Sequence, residues 1–241
     1  MPYSPTLAVA TAGFELAAAA WVLTGPGRKE LLRTSAAILV FLAGYQVVEA
    51  VLCTMAPRSE FLPRLAFLVV TWLPPLGLLL ASFLLSQGDR PARSFAHGMF
   101  VLAAGFCIWI LLDPGFATLS ACAAVYARYD HARTAFLAYS AYYWAGLLGL
   151  AGFSAYGAAR PHDPHDGRLA KLMFLGSLAL IVPAVVTSRL LPTPDGALPS
   201  VMCHFAVLLA IGLVRLVQLE RAWAGAPSRE RGAVEAAGGR G

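Results

Sequence analysis

The stretch Ala43-Gly44-Tyr45-Gln46-Val47-Val48-Glu49-Ala50 places a phenol, an amide and a carboxyl inside a run apolar enough to cross a bilayer. Tyr45 and Glu49 are four residues apart and Gln46 and Glu49 three apart, so on a helix all three share one face. Groups of these types can anchor the polar end of a ligand, carry a proton, or act as a general acid. An acidic side chain at mid-helix costs about 2.5–3.5 kcal/mol in a membrane. Glu49 is therefore expected to face protein or water, as the principal polar anchor of a site.

Other polar and aromatic side chains fall at a similar depth. Glu15 lies near the middle of the first apolar run, Trp72 in the third, Tyr139 and Tyr143 in the fifth, Arg189 at the end of the sixth and His204 early in the seventh. Together with Tyr45, Gln46 and Glu49 they predict a ligand-binding pocket in one half of the bilayer, while the other half offers little beyond His97. Arg64 and Arg189 also suit snorkelling to the interface.

The four cysteines, Cys53, Cys107, Cys122 and Cys203, map to the same half. An oxidising exterior would permit a disulfide, for instance Cys53 or Cys203 with Cys122. Met202-Cys203-His204 with Cys53 and Met55 would make a soft-metal set. No close pair such as C-x-x-C supports it, so no metal and no cofactor is expected. The repeat Pro161-His162-Asp163-Pro164-His165-Asp166 reads as a solvated turn.

The elements that must position these groups are membrane helices. Of 241 residues, 59% are hydrophobic and 13% charged, against roughly 25% charged in water-soluble domains. Seven runs are long enough to span, approximately 7–23, 35–55, 65–85, 95–112, 136–156, 172–191 and 201–219. The expected fold is an all-α bundle of seven transmembrane helices over 1–223, followed by a disordered cytoplasmic tail, 224–241. Thirteen of the eighteen Lys and Arg residues fall on one side if the N-terminus is outside, which predicts N-out and C-in. The first run lacks a basic flank and carries Glu15, features that disfavour a cleaved signal. Sixteen arginines against two lysines, with no asparagine, suggest a bacterial chain of the cytoplasmic membrane. The net charge of +5 lies beside apolar runs and forms no patch, so nucleic acid is not an expected partner.

Segment 113–134 is too apolar for a free loop, and an amphipathic interfacial segment with Phe116, Leu119 and Tyr126 on one face is expected. Trp72-Leu73-Pro74-Pro75 and Pro183 remove backbone donors at mid-span and predict kinks or a broken helix. Ala141, Ala145 and Gly149 form a small ridge for close packing. The absence of a lysine in the seventh run removes a retinal Schiff base, and no H-E-x-x-H, G-x-S-x-G or P-loop pattern is present.

Gln46 and Glu49, with Ser200-Val201-Met202-Cys203, resemble an uncharacterised family of bacterial multi-pass proteins that open with Met-Cys-Phe-Ser-Ala. Its members carry Gln-x-x-Glu in the second helix and a Ser-Val-Trp-Cys-like start to the last. Here position 2 is proline, and Met202 stands where that family has tryptophan. The resemblance implies seven helices and no particular activity. A fainter similarity is to membrane-bound terpene cyclases of seven helices, which place an acid in the second helix. It implies Glu49 as the catalytic acid with Tyr45, Trp72, Tyr139, Tyr143 and Trp144 as an aromatic lining. Where those enzymes have an acid in the final helix, this chain has His204.

The leading expectation is a membrane bundle that binds a small lipophilic or amphipathic ligand, as a transporter, sensor or accessory subunit. The alternatives are an intramembrane enzyme acting on an isoprenoid or lipid, and a scaffold for a partner membrane protein. Membrane lipid is a partner in each case.

Overall fold

The structure is a computed structural model that describes residues 4–85, 90–123, 126–190 and 198–225, with the side chains of 188–190 and 198–201 outside that description. Eight helices and one hairpin follow in order: α1 (Thr6–Leu23), α2 (Lys29–Thr54), α3 (Phe61–Val70), α4 (Leu73–Phe83), α5 (Arg90–Leu112), β1 (Thr118–Cys122), β2 (Ala127–Asp130), α6 (Arg133–Ala159), α7 (Pro164–Leu190) and α8 (Leu198–Gly225). The chain is mostly helical, and six helices are long and apolar enough to cross a membrane: α1, α2, α3 with α4 as one unit, α5, α7 and α8. The run expected over 136–156 is the 27-residue α6. It has the length to span, but its tyrosines, serines and glycines keep it outside the six. Helix α8 continues to Gly225, and the rest of the expected tail lies outside the described residues.

The break at 71–72 follows from the two prolines. Without N–H groups, Pro74 and Pro75 cannot serve the carbonyls of Val70 and Thr71, so the helix parts into α3 and α4. Helix α6 supplies a replacement donor: the Tyr142 hydroxyl donates to the Thr71 carbonyl at 2.5 Å. Thr71 Oγ1 donates in turn to the Phe67 carbonyl at 2.6 Å and sits 3.1 Å from the Tyr139 hydroxyl. We expect Tyr142→Phe to cost about 1–3 kcal/mol by leaving that buried carbonyl without its donor, read as a lowered unfolding midpoint in detergent. By contrast, α7 runs unbroken through Pro183.

Of the small ridge expected on α6, Gly149 packs closely but the two alanines do not. Ala141 and Ala145 are exposed. The close approaches are at Gly146, where a Cβ would come within 2.3 Å of Pro74 Cβ, and at Gly149, where it would meet Phe95 and Leu78. Glycine lets α6 reach the broken segment closely enough for Tyr142 to serve it.

The described part of segment 113–134, expected as an amphipathic segment, is a hairpin. It folds back on itself as β1 paired antiparallel with β2, with a bulge between Leu119 and Ala121. Both of its ends are fixed by helix termini, and strand pairing satisfies its backbone groups where a short helix would leave its last turns open. Phe116 is buried, while Leu119 and Tyr126 are half-buried on the hairpin. A disulfide joins Cys122 of β1 to Cys53 at the end of α2, so of the two pairings open from sequence it is Cys53 that is used. That consumes a thiolate from the soft-metal set, and among the described residues no cluster of metal-ligating side chains forms.

Candidate functional site: an aromatic cavity beneath a stapled hairpin

At the hairpin end of the bundle, Phe67 is the hub of a ring cluster. Its centroid lies 5.9 Å from Phe116, 5.4 Å from Tyr129, 5.1 Å from His131 and 5.4 Å from Tyr139, all edge to face. Phe116, Tyr129 and His131 come from the hairpin region, so the hairpin plugs the mouth of the bundle with aromatic side chains. Tyr129 reaches deepest, its hydroxyl 3.5 Å from that of Tyr45. Rings in these offset geometries add about 0.5–1.5 kcal/mol per pair beyond burial.

His131 couples this plug to pH. Its Nδ1 lies 3.2 Å from the Phe116 carbonyl, and its ring stacks on Phe136 at 5.3 Å. Burial lowers its pKa from the ordinary 6.5, against the opposing pull of the Phe116 carbonyl and Asp130. The folded state therefore keeps the ring neutral, with Nδ1–H donated to that carbonyl. A depressed histidine favours folding in full above its unfolded value, and that advantage is lost as pH falls below it, where the unfolded chain takes the proton more readily. The unfolding midpoint should fall between about pH 7.5 and pH 5 in the wild type, and fall less in His131→Gln.

Beneath the plug lies a cavity between α3, α6 and α8, lined by Phe67, Val70, Phe136, Tyr139, Ser140, Tyr143, Trp144, Met202 and Cys203. A second cavity continues into the core along Leu42, Leu73, Leu147 and Ala206, and shares Tyr143, Met202 and Cys203 with the first. The lining is largely aromatic and aliphatic, with Ser140, the tyrosine hydroxyls and the Cys203 thiol as its polar groups. Tyr139 and Tyr143 are thus brought together, their rings 6.0 Å apart and stacked.

The other expected site residues fall in separate places. Gln46 and Glu49 are fully buried between α2 and α8, and Gln46 Nε2 donates to the Cys203 carbonyl at 2.9 Å. They back the helix segment that lines the cavity without lining it themselves. Tyr45 shares their face, as the spacing required, and points to Tyr129. Glu15 is buried on α1, with neither carboxyl oxygen bonded to any described group. Trp72 is half-buried against Phe100, their rings 6.3 Å apart. His204 is half-buried beside Cys203 and engaged in an interaction of its own. The Arg189 side chain lies outside the described residues.

The opposite end holds a polar cluster that the sequence reading missed. Glu220 of α8 is 2% exposed and accepts from Arg28 Nε and Nη2, each at 3.0 Å, and from the Arg28 backbone N–H at 3.0 Å. His165 Nε2 lies 3.1 Å from the second oxygen of Glu220, and its ring stacks on Trp223 at 4.8 Å. Asp166 pairs with Arg28 Nη2 at 2.7 Å. His165 is therefore buried, not part of a solvated turn, because Asp163 caps α7: its carboxylate accepts the His165 N–H at 2.9 Å. Beside this cluster opens a polar cleft whose walls include Arg28, Glu30, Arg90, Arg93, His162 and Asp163. An acid five residues from the end of a long apolar helix was the signal to follow.

The chain matches no protein-family model and no curated protein at a level that marks a relative.

Proposed function

We propose that this protein is a seven-span membrane bundle, N-terminus outside and C-terminus in the cytoplasm of a bacterial cell, that binds a small lipophilic or amphipathic molecule in its outer half. The aromatic cavity between α3, α6 and α8 is the observation that carries this reading. Its walls are apolar, and with about 40 Å³ of free space it would take a hydrocarbon or isoprenoid chain only as the helices part around it. Ser140, Tyr143 and the Cys203 thiol suit one hydrogen-bonding head, the usual composition of a ligand site. The aromatic plug closes the cavity from above, so a lipophilic ligand enters sideways from the bilayer. Counting α6 as a span puts the disulfide on the face poor in Lys and Arg, which is the outer face by charge and the oxidising side by chemistry.

The terpene-cyclase-like reading needs an acid in the cavity wall. Glu49 stands behind α8's contribution and lines neither cavity, which leaves binding, as a transporter, sensor or accessory subunit, better supported than catalysis.

Native mass spectrometry after mild detergent extraction tests the proposal. The wild type should carry a co-purified lipophile of defined mass, and Met202→Trp, which fills the space shared by both cavities, should lose it while remaining folded. A wild type free of small molecules, or a variant that keeps the same mass, would sink the reading.

A further inference from the structure

Helix α1 is attached to the bundle in an unusual way. It packs on α2 and α8, and its buried face, Ala8, Thr11, Ala12, Glu15, Ala18, Ala19 and Val22, recurs at helical spacing with side chains that are mostly small. Small residues let α1 approach α2 closely, with no polar partner for the one acid on the face. Only its inner end is clamped. Arg221 of α8 donates from Nη2 to the Trp21 carbonyl at 2.6 Å and to the Val22 carbonyl at 3.2 Å, with its guanidinium 4.0 Å over the Trp21 ring.

At the centre of this face sits Glu15, 0% exposed, with both carboxyl oxygens lacking any hydrogen-bond partner among the described residues. Among the described residues, no ionisable side chain of the two neighbouring helices hydrogen-bonds to it. Tyr45 and Glu49 are on α2, and Cys203, within electrostatic reach of both carboxyls, is on α8 beside His204. The cations Lys29, Arg33, Arg215 and Arg221 belong to the inner parts of α2 and α8. Glu15 lines neither core cavity nor the polar cleft, which leaves no space for an organic cation. An unpaired carboxylate sealed in a low-dielectric interface costs several kcal/mol. The species that fits and removes this cost is a proton.

We propose that Glu15 is a membrane-buried proton-binding site, and that α1 seats on α2 and α8 when the carboxyl is protonated and swings out about its Arg221-clamped inner end when the proton leaves. Glu15 itself lines neither cavity, although Cys203, which lines both, lies within its electrostatic reach. Proton release and α1 displacement are one event, because the carboxylate must reach water or headgroups to ionise.

Two measurements on the full-length protein in liposomes test this. A hydrophobic carbodiimide adds to protonated carboxyls buried in membranes, and peptide mapping should find it on Glu15 at low pH, declining as pH rises. No adduct at Glu15, or an adduct indifferent to pH, overturns the site. For the movement, Ala12→Cys places a thiol on the sealed face of α1. Its maleimide labelling is compared at each pH with that of Ala12→Cys/Glu15→Gln, so that the thiol's own ionisation cancels. The ratio should stay near one at low pH and rise several-fold at high pH, where only the glutamate can ionise. A flat ratio overturns the coupling even if the carbodiimide finds its target. The carbodiimide arm uses the wild type, so a poorly folded variant cannot decide the matter.

Discussion

Removing the Cys53–Cys122 disulfide should destabilise the protein by about 2–4 kcal/mol and release the hairpin to protease. The bridge closes a separation of 69 residues that contains α3, α4 and α5. Chain entropy alone gives about 4 kcal/mol for a loop of that length. Helices in a membrane persist in the unfolded state, so that state has less freedom to lose, and the lower part of the range is expected. The local effect is easier to see. Arg128 is half-buried on β2, with Nη2 donating to Ser120 Oγ at 3.1 Å, and strand pairing shields the bond after it. Cys53→Ser/Cys122→Ser, or reduction of the wild type, should allow trypsin to cut after Arg128 at least several-fold faster. Equal cleavage rates would show that the aromatic plug holds the hairpin unaided. Because the plug roofs the ligand cavity, the same variant should also lose its co-purified lipophile, which links redox state to binding.

How far the sequence went depended on whether a feature is local. Mean hydropathy located the apolar helices, and the two adjacent prolines foretold the break between α3 and α4, since a missing N–H is a property of the residue itself. The partner that repairs the break, Tyr142, was not legible: nothing in its own surroundings distinguishes it from Tyr139 or Tyr143. Choosing Ala141 and Ala145 for the packing ridge failed for a related reason. Small residues occur on two stripes of α6, and only the position of Pro74 decides which stripe docks. The hairpin was not legible because Phe116, Leu119 and Tyr126 mark an amphipathic segment without choosing helix or strand, and the cross-link that holds it joins residues far apart in the chain. Spacing did place Tyr45, Gln46 and Glu49 on one buried face. It could not show that this face supports the cavity wall from behind while Tyr139, Tyr143 and Met202 form the wall.

The second large effect is expected at the end of the bundle opposite the hairpin. Arg28→Met should cost about 3 kcal/mol, the low end of the range for a broken buried ion pair, because about a third of the Arg28 side chain already meets solvent. Burial alone would disfavour the charge on Arg28, yet Glu220 and Asp166 outweigh it and raise its pKa. The substitution leaves Glu220, whose side chain is 3% exposed, with only His165 and the backbone N–H of residue 28 as partners. The converse change, Glu220→Leu, should cost less, since Arg28 keeps Asp166 at 2.7 Å and can turn toward water. The double variant Arg28→Met/Glu220→Leu removes the stranded charge as well as the pair and should be more stable than Arg28→Met. Unfolding midpoints of the three variants in detergent give the coupling directly. Strict additivity would mean that the pair holds nothing together. A positive coupling would identify Arg28–Glu220 as the bond that ties the α1–α2 connection to α8. With His165 on Trp223 it fixes the ends of α1, α7 and α8 opposite the hairpin, so the proposed movement of α1 would pivot there and displace its middle, where Glu15 lies, and its N-terminal half.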